Sequence, residues 1–224
     1  MTQRPLALIA GCGPGLGTQL LQKLDAAGYE TWGLSRSAKG DSPVLALDLG
    51  DPTAVVRTIS GLTDRFGPPS LVIHNAAHLH IAPFGETTPS DFDAAWRNMV
   101  LSAVHLAHAV MPAMVAQGRG AFIVSGASAS LRGGARFSAF ASAKAGLRSL
   151  TQSLAREYAP KGVHVAHVVL DGILDTAASR ALHSRPPETM MALADVAQAY
   201  LTLAEQPRSA WTFEMDLRPM GEPF

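Results

Sequence analysis

Apolar residues in this chain gather in short runs, separated by longer stretches where they recur every three or four positions. The runs at residues 6–10, 31–34, 44–47, 71–74, 122–125 and 163–170 read as buried strands, and residues 211–217 as a seventh. Helical patterns cover residues 15–27, 51–66, 91–114, 138–158 and 193–204. The punctuation agrees with these bounds. Gly28 ends the first helix, and Asp51-Pro52 opens the second with proline in its first turn. Gly67-Pro68-Pro69 stops that helix, and Thr88-Pro89-Ser90-Asp91 has the form of a capping box. Strands that alternate with helical crossovers imply an α/β fold, a doubly wound Rossmann-type parallel sheet of about seven strands with helices on both faces. Right-handed crossovers place a ligand beyond the strand C-termini, where the strand order reverses. Nothing linker-like or repetitive interrupts residues 1–224, so one domain is expected. Residues 132–136 and 183–187 are the expected mobile loops. The stretch 176–192 is short, contains Pro186-Pro187, and is expected to form an open or partly disordered lid.

Charge narrows the partners. The chain has 18 basic and 18 acidic residues, so neither nucleic acid nor an anionic membrane has electrostatic support. Its one cysteine, Cys12, cannot form an internal disulfide and fits a reducing compartment. The apolar run at residues 6–10 is too short for a signal core or a membrane span, so a soluble cytoplasmic protein is expected.

The segment Gly11-Cys12-Gly13-Pro14-Gly15-Leu16-Gly17 joins the first strand to the first helix. Glycine is required where backbone turns tightly and approaches a pyrophosphate, and a helix N-terminus adds unpaired N–H groups. Gly11, Gly15 and Gly17 are spaced Gly-x-x-x-Gly-x-Gly. After the second strand stands Ser35-Arg36 rather than the carboxylate that would bind the free ribose hydroxyls of NAD. Arginine's planar fork suits a 2′-phosphate, which favours NADP(H) over NAD(H).

With Phe140-Ala141-Ser142-Ala143-Lys144 opening a later helix, this layout resembles the short-chain dehydrogenase/reductase family. The resemblance covers essentially the whole chain. It implies that Gly11, Cys12, Gly15, Leu16 and Gly17 cradle the dinucleotide, and that Asp48 and Leu49 contact the adenine. His74-Asn75-Ala76-Ala77 stands where the family has Asn-Asn-Ala-Gly, so Asn75 and Ala76 border the cofactor. Asn98 matches the asparagine that orders a proton-relay water, and Lys144 matches the lysine on the nicotinamide ribose. Asp171-Gly172-Ile173-Leu174-Asp175-Thr176 resembles Pro-Gly-x-x-x-Thr, with Gly172, Ile173 and Thr176 facing the nicotinamide end. A homodimer or homotetramer is expected from the alanine-rich long helices.

The departures fall where the chemistry should be. Phe140 replaces the family's proton-transferring tyrosine, and Ala127 stands in place of its substrate-orienting serine. A register shift of one residue would let Ser128 supply that hydroxyl. Tyr29, Tyr158 and Tyr200 map away from the site. His78 and His80, on the loop after Ala77, are candidates for the pocket and for replacing the phenol. His74, His78 and His80 do not make a metal site, because no cysteine or carboxylate completes one. A general acid contributes ~10²–10⁴-fold to rate, and an oxyanion donor ~10²–10³-fold. Ordinary ketone reduction should therefore suffer. An iminium ion or activated alkene makes smaller demands, and Lys144 could be the acid. The expected function is an NADP-dependent oxidoreductase with an atypical active site, acting on a small organic molecule. Two alternatives stay open: a cofactor-binding protein without redox activity, such as a sensor or partner subunit, and a non-redox enzyme such as a cyclase or isomerase.

Overall fold

A computed structural model describes residues 3–38 and 43–222. Seven strands form one parallel sheet: β1 (Leu6–Ala10), β2 (Glu30–Ser35), β3 (Val44–Ala46), β4 (Leu71–His74), β5 (Gly120–Ser125), β6 (Val163–Leu170) and β7 (Glu214–Leu217). Their order is β3-β2-β1-β4-β5-β6-β7, all pairs parallel. The order reverses between β1 and β4, which sets a crevice beyond their C-terminal ends.

Seven helices of α type connect the strands: α1 (Leu16–Ala26), α2 (Pro52–Phe66), α3 (Pro89–Trp96), α4 (Ser102–Gln117), α5 (Ser138–Tyr158), α6 (Ala177–Leu182) and α7 (Leu193–Ala204). Period-two alternation splits each central strand between two cores. Phe122 and Val124 of β5 join Leu8, Val72, Leu106 and Leu147 on the α2/α4/α5 side. Ala121 and Ile123 join Ile9, Ile73, Leu20 and Tyr200 on the α1/α7 side. The central strands are buried on both faces, so they appear in the sequence as continuous apolar runs rather than alternating ones.

The helix expected over residues 91–114 is longer and not uniform. Thr88 caps α3 with the reciprocal box to Asp91, as its sequence implies. A π turn, Arg97–Leu101, then separates α3 from α4. The stretch Pro89–Gln117 is long and apolar enough to cross a membrane. Its Met99, Ala103, Leu106, Val110 and Met114 are instead buried in the core beneath the sheet. The seventh strand is shorter than expected: it begins at Glu214, and of residues 211–213 only Phe213 bonds the β6 backbone, its carbonyl accepting from the His167 N–H at 2.8 Å.

Residues 176–192 are less open than their sequence implies. Thr176 caps α6, accepting from the Ser179 N–H at 3.0 Å, and Leu174 bridges to Met191. Arg180 binds Asp175, and Arg185 binds Glu222 at 2.9 Å, tying this segment to the C-terminal tail.

Candidate active site

The glycine loop is shaped by close backbone approaches. Gly11 has φ 86°, and a Cβ there would stand 2.5 Å from the Ala76 nitrogen. A Cβ at Gly17 would stand 2.6 Å from the Gly11 carbonyl oxygen. Asn75 Nδ2 donates to that same oxygen at 3.2 Å, which locks the loop to the end of β4. Gly15 precedes α1 at φ 130°, and no side chain caps the helix. The cradle is therefore bare backbone at a helix N-terminus, the surroundings a pyrophosphate requires.

Two cavities meet at this loop, sharing Gly11, Gly13, Asn75 and Ala77. The first, about 410 Å³, runs past Ser35, Arg36, Asp48 and Leu49 to Ala76 and Asn98. The second, about 500 Å³, runs past Gly15, Leu16 and Gly17 to Phe140, Lys144, Gly172, Ile173 and Thr176. Together they make a cleft across the strand ends with the length and polarity pattern of a dinucleotide site. Cys12 is absent from both walls. Its side chain packs on Gly33, and burial pushes the thiol up to about 11. It is a wedge between β1 and β2, not an acidified nucleophile.

Lys144 is 3% exposed and donates from Nζ to the Ser125 carbonyl oxygen at 2.7 Å. Burial pulls its ammonium down to about 8. The Phe140 ring centre lies 5.8 Å from Nζ. Asn98 sits in the π turn, its Nδ2 donating to the Ala94 carbonyl at 2.8 Å. The Asn98 carbonyl accepts from Ser102 Oγ at 2.7 Å, and Ser102 Oγ lies 2.8 Å from His74 Nε2. Since the serine hydrogen is used on Asn98, His74 must donate from Nε2. Complete burial holds this imidazole far below its usual value, at about 3.

Four expectations need correction. Ser128 opens a single 3₁₀ turn, Ser128–Ser130, and does not line the cleft; Ala127 does. Ser130 satisfies the loop instead, accepting from the Ala127 N–H at 3.1 Å. His78 and His80 also miss the pocket, whose wall in this loop is made by Leu79 and Ile81. His80 Nδ1 stands 3.7 Å from an Asp91 carboxylate oxygen at the start of α3. Tyr200 is not remote: its hydroxyl lies 2.7 Å from Ser125 Oγ, directly behind the carbonyl that holds Lys144. Burial raises this phenol well above its usual value. Nothing local to Tyr200 signals this contact, which depends on where α7 packs.

Asp171 stands where the family pattern has proline. Its carboxylate is 2% exposed and bonds Arg218 at 2.5 Å and Arg132 at 3.3 Å. Its backbone N–H donates to Leu217 at 2.8 Å, extending the β6–β7 ladder by a bond proline cannot make.

This fold and cleft are those of a dinucleotide-binding α/β protein. The family profile described as short chain dehydrogenase matches residues 5–187. L-xylulose reductase from Bos taurus is 31% identical over 169 residues, 71% of this chain and 68% of its own. The 3-oxoacyl-[acyl-carrier-protein] reductase of Salmonella typhimurium is 28% identical over 187 residues, 79% of this chain and 76% of its own. A solved short-chain dehydrogenase from Rhodopseudomonas palustris superposes with a TM-score of 0.79 at 33% identity, covering 95% of this chain and 98% of that one. The chain belongs to the short-chain dehydrogenase/reductase family of oxidoreductases.

Proposed function

We propose that the protein is an NADP(H)-dependent oxidoreductase in which Lys144, rather than a phenol, handles the substrate's proton. Bound in the cleft, the nicotinamide dinucleotide supplies or accepts the hydride. The glycine cradle of Gly11, Gly15 and Gly17 receives its pyrophosphate, and Asp48 and Leu49 border its adenine. Ser35 and Arg36 favour a 2′-phosphate, because an arginine rather than a carboxylate follows the end of β2. Gly172, Ile173 and Thr176 border the nicotinamide end.

One observation carries the reading of the chemistry. The wall around Phe140 holds no tyrosine, and Lys144 is the ionisable group beside it, with burial setting its ammonium near 8. A group poised near neutrality can both hold and release a proton. The rest of the wall is mainly apolar, with Leu79, Ile81, Ala127, Phe137 and Leu174, while Ser179 and His183 line it from the side of α6. Such a pocket suits a small substrate whose hydride transfer builds little oxyanion charge, an iminium ion or an activated alkene before a simple ketone. The same reading makes residues 1–224 one cytoplasmic domain that assembles as a homodimer or homotetramer.

Steady-state oxidation of NADPH against imines, enones and ketones tests this. Turnover that vanishes in Lys144→Met, with NADPH still bound, is expected. Product formation without nicotinamide consumption would replace the reading by an isomerase or cyclase. NADPH binding with no turnover at all would leave a sensor or partner subunit, a reading that the loss of both family hydroxyls favours.

A further inference from the structure

Ala10, His74, Val124, His167 and Glu214 are paired directly across five neighbouring strands. Neighbouring strands lie about 4.8 Å apart, so His74 and His167 stand about 10 Å apart with Val124 between them. Directly paired residues share a face of the sheet. Helix α5 covers this face and brings Lys144 and Arg148, one turn apart, over the row. Both histidines feel the charge of Lys144. Two rungs back, Phe122 and Val165 are ordinary core. The polar row exists only where the cleft begins.

His167 is wholly buried, with Nδ1 3.2 Å from Glu214 Oε2. Arg148 holds that carboxylate with two bonds, at 2.5 and 2.8 Å. A carboxylate accepts, so Nδ1 carries the hydrogen and Nε2 is a bare acceptor. Burial keeps the ring neutral at pH 7, well below its usual value at about 4. Nε2 has no hydrogen-bond partner among the described residues. It abuts Gly126, where any Cβ would collide with it. Gly126 follows Ser125, whose carbonyl oxygen takes the Lys144 ammonium. The bare nitrogen and the ammonium therefore flank the same short piece of β5. At the far end, the Glu214 side chain is 26% exposed on the edge strand and meets water.

We propose that His167 is a relay residue, carrying protons between Lys144 and solvent through Glu214. The proposal rests on Lys144 being the proton-handling group. During substrate oxidation, Lys144 takes the substrate's proton while the hydride leaves to the nicotinamide. Lys144 passes a proton through one bridging water to Nε2 of His167, the Nδ1 hydrogen moves to the Glu214 carboxylate, and Glu214 releases it to water. Reduction runs the same transfers backwards from the Nε2–H tautomer. No electrons pass along the row; each oxidation leaves His167 as the Nε2–H tautomer, and each reduction returns it to the Nδ1–H form. This exit leads to the β7 edge, away from Asn98 and the first cavity.

The test needs no substrate. In protein loaded with NADP, the exchange of the Lys144 Nζ hydrogens with water is followed by ¹⁵N-lysine NMR in the wild type, His167→Gln and Glu214→Gln. Thermal unfolding and cofactor fluorescence establish that each variant is folded and loaded. The relay predicts exchange slowed about tenfold or more in both, a modest part of the ~10²–10⁴-fold a positioned proton-transfer group contributes. A merely structural role predicts the opposite sign, since a loosened core exchanges faster. Exchange unchanged or faster in both variants overturns the relay, as does slowing in His167→Gln alone, which removes the Glu214 exit. Should His167→Gln not fold, the part-exposed Glu214→Gln decides by the same criterion. Failure of the oxidoreductase reading shows separately, as absence of turnover while the exchange result stands.

Discussion

Restoring the two lost hydroxyls should restore ordinary carbonyl reduction. In Phe140→Tyr the new oxygen extends from a ring whose centre is 5.8 Å from Lys144 Nζ. That ammonium, charged below about pH 8, would draw the phenol toward ionisation. Ala127 has extended backbone, φ −161° and ψ 170°, and lines the cleft, so Ala127→Ser adds a hydroxyl without strain. A general acid is worth ~10²–10⁴-fold and an oxyanion donor ~10²–10³-fold. Two substitutions do not reach ideal placement, so the expected gain is about 10²-fold in kcat/KM, roughly 2.7 kcal/mol of barrier. The assay is NADPH oxidation over a series of small ketones at pH 7, comparing wild type, both single variants and the double variant. Because the two hydroxyls act on one oxygen, the double variant should exceed the product of the singles. A double variant that binds NADPH and folds, yet stays within about twofold of wild type on every ketone, refutes the reasoning: the missing hydroxyls would not be what limits the site.

Arg36→Ala should weaken NADPH roughly tenfold to a hundredfold and leave NADH nearly unchanged, the loss of charge-assisted bonds to one phosphate; equal weakening of both nucleotides in a binding titration would contradict the 2′-phosphate assignment. Asp171→Ala removes the carboxylate that Arg218 and Arg132 share, leaving Arg218 its contact with Asp216, and should cost about 2 kcal/mol, or roughly 4–8 °C in thermal midpoint; a shift under about 2 °C would show that the clamp adds nothing. The buried His74 and His167 are held near 3 and 4, below their unfolded value of about 6.5. The unfolded chain therefore binds more protons between these values, so stability is intact above pH 6.5 and falls as pH drops toward 4, by up to about 1.4 kcal/mol per pH unit for each ring. Urea unfolding between pH 4.5 and 7 should be flatter in His74→Gln than in wild type, and an unchanged slope would show that this ring does not titrate with folding.

Most strand and helix bounds are legible in the chain because the pattern and the punctuation agree. Residues 6–10, 71–74, 138–158, 163–170 and 193–204 are bounded by turn residues or caps as well as by burial. The π turn at Arg97–Leu101 was invisible, since one inserted backbone position leaves the apolar pattern unbroken. In the cleft, the glycine loop follows from its spacing, because backbone shape demands glycine there, whereas Asn75, Lys144 and Thr176 are legible only through the family resemblance. His78 and His80 show the limit: their nearness in sequence says nothing about which way an extended loop turns them. Tyr200, Asp171 and the His167–Glu214 pair depend on contacts between elements far apart in the chain. Period two in β6 and β7 puts residues on faces, but only the register of the sheet places His74, His167 and Glu214 in one row.

The proposed chemistry depends on the cleft holding a nicotinamide dinucleotide. Titration of the purified protein with NADPH and with NADH, by calorimetry or nicotinamide fluorescence, tests this most directly. The account predicts saturable binding of one dinucleotide per chain, with NADPH preferred by about tenfold or more, as a charge-assisted phosphate contact requires. No binding of either nucleotide would contradict it and leave the cleft without the cofactor on which the proposed chemistry rests.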